Sequence, residues 1–294
     1  MTTDGAAAAA VPATKDRAAL VVEGGAMRGI FSVGVLDVFM ERGFSPFDFV
    51  IGASAGACNL ASHVAGQDGR NRRAYFDLMT RREFIDVRRA LLGRSAVDLD
   101  WLWDTLAARE PLDVAAVVGS AVELVIVATS ARTGEPVYLP PRTGDLFDAL
   151  KGSCALPGLY RGQVSVGGEP LIDGGVSDPI PIEEAYRRGA RRIVVVRSRP
   201  AAFVKTNGWS SRLSAKLARG TPAVTRALLG TAERYQRAVA MATSPPPGCK
   251  VLHVAPVRPM RTARTTRDRE ALEHDYQHGR ERGEAAMREW SALA

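Results

Sequence analysis

Short apolar runs alternate with segments of helical period along the first 200 residues of this 294-residue chain. The runs at 18–22 (AALVV), 47–51 (FDFVI), 122–130 (VELVIVATS) and 192–197 (RIVVVR) have the length and apolar content of strands. Residues 30–42 place Val33, Leu36, Val38, Phe39 and Met40 on a broad face and stop at Gly43, which predicts a helix. Further helices are expected at 54–65, 71–80, 98–108, 145–151, 210–218 and 223–242, with Asp98 placed to cap the third of them. Two hairpins are expected. One joins 122–130 to 136–139 through Thr133-Gly134, and the other lies within 163–172 around Gly167-Gly168. A late strand follows at 250–254, and 268–292 reads as a charged amphipathic helix broken near Gly279 or Gly283. Strand–helix alternation of this kind argues for an α/β sheet with helices on both faces.

Composition changes the picture little. Hydrophobic residues at 46% and charged residues at 24% are ordinary for a globular chain. Residues 1–17 read as a disordered leader. Their alanine run lacks the basic start and leucine-rich core of a secretory signal. No apolar span reaches the roughly 18 residues of a transmembrane helix. Cys58, Cys154 and Cys249 are scattered without CxxC spacing, which fits reduced thiols of a cytoplasmic protein. No acidic cluster suggests calcium, so no metal and no cofactor are expected.

Charge changes it more. The net charge is +7, and residues 185–232 hold no Asp or Glu but eleven Arg and Lys. Such a block favours anionic partners. With Phe203, Trp209, Leu213 and Leu217 among its cations, it suggests peripheral contact with an anionic membrane at the inner face. A solvated face is the plainer alternative. Nucleic acid is not expected, because no zinc-finger spacing or aromatic RNP motif is present.

Three motifs carry candidate chemistry. Gly24-Gly25-Ala26-Met27-Arg28-Gly29 follows the first strand and opens a helix, a backbone-amide cradle for a phosphate or an oxyanion. A dinucleotide reading fails because Ala26 fills the middle glycine position and Asp48 lies at the wrong end of its strand. Gly52-Ala53-Ser54-Ala55-Gly56 has a strand before it and a helix after it, the context of a nucleophile elbow. Gly52 and Gly56 remove side chains that would clash in the turn.

A serine needs a base. His63 follows Ser54 by nine residues in one helix and cannot reach it, and His274 and His278 belong to the polar terminal helix, on its exposed face. His253 is the one serious histidine candidate, though it also fits an outward-facing strand position. The third motif sets Asp173 before Gly174-Gly175 in PLIDGGVSDP, as a turn former or as a base.

GGAMRG, GASAG and DGG, in this order and spacing, resemble the patatin-like phospholipase family from about residue 18 to 199, and the opening VVEGGAMRGIFSVGVLD resembles a bacterial branch of it. The resemblance implies a three-layer α/β sandwich with a mostly parallel central sheet. It implies a catalytic domain over 18–256 with a helical tail at 257–294. It also implies a Ser54/Asp173 dyad without histidine, and an oxyanion hole on the amides of Gly24, Gly25 and Ala26 with Arg28 and Gly29 completing the motif. The family usually has glycine where Ala26 stands; a positive φ there would cost alanine about 1 kcal/mol.

The activity so implied is hydrolysis of lipid carboxyl esters. Asp173 would have to lie within about 2.6–3.2 Å of the hydroxyl in a dry site. Its expected cover is Leu156, Pro157 and Leu159, with SCALPGLY (153–160) forming an acyl-chain wall or ordinary packing. Two other readings stay open: a non-catalytic lipid- or phosphoanion-binding protein on the same fold, and a triad esterase using His253. Oligomeric state is not legible.

Overall fold

The computed structural model describes residues 16–142, 144–206 and 222–292. The chain opens with β1 (Arg17–Val22), α1 (Ile30–Glu41), β2 (Phe49–Ala53), α2 (Ala55–Val64) and α3 (Arg70–Arg73), which continues as a π-helical turn over Ala74–Leu78. Next come α4 (Arg88–Leu91), α5 (Leu99–Arg109), α6 (Val114–Val118), β3 (Glu123–Ser130), β4 (Pro136–Leu139) and α7 (Leu146–Ser153). The hairpin β5 (Val164–Val166) and β6 (Glu169–Asp173) leads to α8 (Ile182–Arg187) and β7 (Ala190–Val196). After α9 (Pro222–Thr243) and β8 (Lys250–Val254), the chain ends in α10 (Arg269–Ala292).

The sheet order is β5-β6-β3-β2-β1-β7-β8, with β4 on β3. β1, β2, β3, β7 and β8 run parallel, and β4 and β6 pair antiparallel with β3. Period-two alternation sends apolar side chains to both faces. Leu20, Val22, Val50, Ile126, Val194 and Val196 pack with α1, α2 and Trp290 of α10. Val21, Ile51, Val125, Val127, Ile193 and Val195 pack with α8 and α9. The result is the expected three-layer α/β sandwich, mostly parallel and covered on both sides.

Residues 30–39 of α1 are all buried, including Ser32 and Asp37. A helix apolar all round is an interior helix. Here the sheet lies on one side and α10 on the other. The break expected near Gly279 or Gly283 is absent: α10 is continuous over Arg269–Ala292.

Those glycines serve contact instead. A methyl on Gly279 would sit 2.1 Å from the Phe31 carbonyl oxygen, and one on Gly34 would sit 2.2 Å from that of Tyr276. Glycine lets the two backbones touch, and the packing outweighs its low helix propensity. Polar contacts fix the register. The Tyr276 hydroxyl donates to Asp37 Oδ2 at 2.9 Å, and Arg280 donates to both Glu41 oxygens at 2.5 and 2.7 Å. Burial pushes the Asp37 carboxyl up to about 6.

His278 is a second correction. It is fully buried rather than on an exposed face, edge-on to Phe31, with Nε2 accepting from the Val257 amide at 3.2 Å. The packing of α10 on α1 puts this side chain inside. Of the basic block, Arg187 and Arg188 pair with Glu184, Arg192 stacks on Trp290, and Arg197 is fully buried against Tyr235 and His253. The expected helix at 210–218, with Trp209, Leu213 and Leu217, lies outside the described residues, as does the leader except Asp16 and Arg17. Arg17 already begins β1. No helix of the described residues is long and apolar enough to cross a membrane.

Gly279→Ala should destabilise the protein by at least about 1–3 kcal/mol, the usual cost of overpacking, read as a lower urea midpoint. An unchanged midpoint would show that α1 and α10 separate without loss.

Candidate active site

β2 and α2 are joined by one residue. Ser54 stands between Ala53 and Ala55 with φ 53° and ψ −129°, a conformation that L residues avoid. Neighbouring backbone holds it there. A methyl on Gly56 would lie 2.4 Å from the Val22 carbonyl oxygen, and one on Gly24 would lie 2.8 Å from that of Ala53. The Ser54 amide donates to Ser153 Oγ at 2.7 Å, and that hydroxyl donates to the Val127 carbonyl at 2.5 Å.

Asp173 ends β6, beside Ala128 of β3. The Ser54 hydroxyl donates to Asp173 Oδ2 at 2.8 Å, and Oδ1 accepts from the Gly175 amide at 2.7 Å. The Asp173 backbone is held as well: its carbonyl accepts from Thr129 Oγ1, and its amide donates to Ala155. Gly174 is obligatory, because a methyl there would sit 2.0 Å from the Val127 carbonyl oxygen.

Ser54 and Asp173 are 9% and 6% exposed. Burial raises the Asp173 carboxyl above its usual range, while the bonds from Ser54 and Gly175 and the charges of Arg264 and Lys205 pull it back. A folded-state value above the unfolded one means that this group's stabilising contribution is full below the unfolded pKa. It is lost as pH rises through the folded value. The ionised site is therefore held against a folding cost.

The glycine loop lies alongside. Among the described residues, Ala26 (φ 50°) and Ser54 are the non-glycine residues with positive φ. Such outliers cluster where function over-determines the backbone. Met27 donates to the Arg264 carbonyl and Arg28 to the Gly25 carbonyl. Among the described residues, no backbone carbonyl takes the amides of Gly24, Gly25 or Ala26. The Gly29 carbonyl accepts from Asn59 Nδ2 at 3.1 Å. Arg28 is 4% exposed and lines a hollow beside Ser54.

Two spaces meet at the serine. One, of about 1030 Å³ with its mouth, is walled by apolar side chains including Met27, Phe84, Leu102, Leu106, Leu156 and Leu159. The second, of about 620 Å³, is lined by Glu23, Arg28, Arg199, Lys205 and Arg264. Ser54, Asp173, Ala26, Leu156 and Arg264 border both. Leu156 and Leu159 thus hold the expected place; Pro157 is not in either wall but bridges to Tyr160.

His253 is not brought to Ser54. It lies on edge strand β8, three strands or about 14 Å from β2. Its ring is held near pKa 4 by burial and by Arg197. Asp48 stands before β2, accepting from the Ala18 amide at 2.7 Å. The contact of Ser153 with the Ser54 amide escaped the sequence reading, as did the meeting of Cys58 and Cys154. Those two free thiols lie 96 positions apart, yet their Sγ atoms are 3.5 Å apart in the apolar wall. No local pattern announces either contact. Among the described residues, no group of His, Cys, Asp and Glu could hold a metal.

This arrangement defines a class: a three-layer α/β protein with a buried serine–carboxylate pair at a strained strand-to-helix turn. The family model for patatin-like phospholipase matches residues 20–186, more than half of the chain, and the chain belongs to that family. A second model, a domain of unknown function (DUF6363), matches residues 221–294. The chain is 36% identical over 273 residues to YjjU of Escherichia coli K12, covering 92% of this chain and 76% of that protein.

It is 28% identical over 171 residues to the NTE family proteins Mb1092c of Mycobacterium bovis and Rv1063c of Mycobacterium tuberculosis. Those matches cover 56% of this chain and 44% of each relative. The crystal structure of VipD from Legionella pneumophila aligns with TM-score 0.47 and 15% identity, over 94% of this chain and 67% of that one.

Ala26→Gly should stabilise the protein by about 0.5–1 kcal/mol, the left-handed strain relieved less the added entropy of glycine in the unfolded chain. Chemical denaturation tests this; a loss of stability would show that the alanine methyl packs usefully.

Proposed function

We propose that the chain is a serine acyl hydrolase cleaving carboxyl esters of lipids. The observation that carries this reading is the 2.8 Å hydrogen bond from the Ser54 hydroxyl to buried Asp173, at the edge of a large apolar cavity. Ser54 Oγ attacks the ester carbonyl as its proton passes to Asp173 Oδ2. The oxyanion is met by the amides of Gly24, Gly25 and Ala26 at the start of a helix. Collapse breaks the bond to the leaving alcohol, which takes the proton from Asp173 and leaves the acyl group on Ser54. Water, losing its proton to Asp173, then attacks the acyl-enzyme; the Ser54 Oγ–acyl bond breaks, the proton returns from Asp173 to Ser54 Oγ, and the fatty acid is released.

An aspartate is a weak base toward a serine. Burial helps by raising its basicity, and the dry wall strengthens the oxyanion contacts. Histidine has no part, which the distance to His253 supports. Free thiols fit a cytoplasmic protein. Contact with the inner face of a membrane belongs to the same reading.

Fluorophosphonate labelling read by peptide mapping should give one adduct, on Ser54. It should be abolished in Ser54→Ala and reduced at least about 100-fold in Asp173→Asn, the scale of general-base loss. No adduct on folded wild type would move the reading to a lipid-binding protein on the same fold.

The base must be ionised to act, so kcat/KM on a soluble ester should rise with pH through a limb displaced above the usual carboxylate range. A pH–rate profile checks this; a limb at or below about pH 4 would contradict the buried base.

A further inference from the structure

Arg28, Arg199, Lys205 and Arg264 line the second hollow against two carboxylates, Asp173 and Glu23, of which Glu23 already accepts from the Ser198 amide at 2.7 Å. Arg28 is nearly fully buried, and its Nε has no hydrogen-bond partner. Among the described residues, none of these four cations makes an ion pair within 4 Å. Burial first, and the neighbouring cations after it, pull Arg28 down to about 10 and Lys205 to about 8. Buried charge without partners is costly unless something supplies the counter-charge.

The cations are built in rather than draped over the surface. Arg199 stacks on Phe203 at 4.4 Å and Lys205 lies over Tyr235 at 5.2 Å, with Phe203 edge-on to Tyr235. The Lys205 carbonyl accepts from Gln236 of α9. Arg264 sits in the loop before α10. Fully buried Asp275 of α10 anchors that loop, accepting from the Arg261 and Thr262 amides and the Thr262 hydroxyl at 3.2, 2.7 and 2.6 Å. The Arg264 carbonyl in turn accepts from Met27 in the glycine loop. Arg199, Lys205 and Arg264, with Tyr235, all follow the patatin-like match, which ends at 186.

We propose that this hollow is the leaving-group subsite and takes the phosphate of an anionic glycerophospholipid, so that the chain after residue 186 selects the headgroup. The proposal rests on the hydrolase reading for its chemistry: the acyl chain lies in the apolar cavity, the ester at Ser54 and the phosphate among the cations. A choline headgroup fits poorly, since its positive charge meets four others and the aromatic faces of Phe203 and Tyr235 are already taken by Arg199 and Lys205.

The test uses dihexanoyl phosphatidic acid, phosphatidylglycerol and phosphatidylcholine below their micellar concentrations, at fixed ionic strength. Under these conditions no charged surface can attract a basic protein. Wild type should favour the two anionic lipids over phosphatidylcholine in kcat/KM by at least about tenfold. Arg264→Gln and Lys205→Gln should each lower that ratio about tenfold, as for the loss of one charge-assisted contact.

Equal rates on all headgroups, an unchanged ratio in both variants, or selectivity seen only on vesicles would overturn the subsite. Calorimetric binding to Ser54→Ala reads the hollow without turnover. Tighter binding of phosphatidic acid than of phosphatidylcholine, weakened by Arg264→Gln, supports the subsite even if the wild type cleaves nothing, an outcome that would sink the hydrolase reading alone.

Discussion

The contact between two strand ends governs this structure. β1 and β2 are parallel neighbours; β2 turns into α2 through Ser54 alone, and β1 leads through the glycine loop into α1. The two turns touch through backbone: Gly24 against Ala53 and Ser54, and Gly56 against Val22 and Glu23. Side chains at those glycines would push the turns apart. With them absent, the glycine-loop amides and the serine hydroxyl come together where the sheet leaves a crevice, the usual place for a site in an open α/β sheet. Asp173 reaches the same point from β6, on the far side of β3, because Gly174 passes directly over the Val127 carbonyl.

Keeping this cluster closed works against stability in two ways. Ser54 and Ala26 hold left-handed backbone, and Asp173 is ionisable yet buried. Each penalty is of order 1 kcal/mol or more, a sizeable part of a typical net stability of about 5–15 kcal/mol. The compensation lies away from the site, in a sheet apolar on both faces and in α1, locked between that sheet and α10. α1 begins directly after the glycine loop, so the packing that buries α1 also fixes the loop.

What the sequence made legible is local backbone constraint. Glycines beside Ser54 and after Asp173 mark turns, and apolar runs of strand length are needed by a covered sheet, so both could be read without coordinates, although Gly56 and Gly174 are required by their contacts with Val22 and Val127 on neighbouring strands. The same holds for Asp98, whose Oδ1 does cap α5 at the Trp101 amide. Illegible were contacts made between distant segments. Ser153 matters because the end of α7 meets the start of α2; His278 is buried because α10 lies on α1; Gly279 reads as a breaker until a partner helix is known. The described part of the basic block was illegible for the same reason: it divides into ion pairs, aromatic stacks and a fully buried arginine.

On the proposed hydrolase reading, the cations beside the serine bear on Asp173 as a base as well as on binding. Arg264 and Lys205 lower the Asp173 pKa against the upward push of burial. An anion seated among them would offset part of that pull, and a carboxylate next to a neutralised cation holds its proton more tightly. Occupation of the hollow would then raise the basicity of Asp173 at the moment the ester reaches Ser54. The empty site would keep Asp173 more firmly ionised and a poorer proton acceptor. Charge used to recognise the leaving group would thereby also tune the base, through Coulombic coupling in a dry site and without any movement of the backbone.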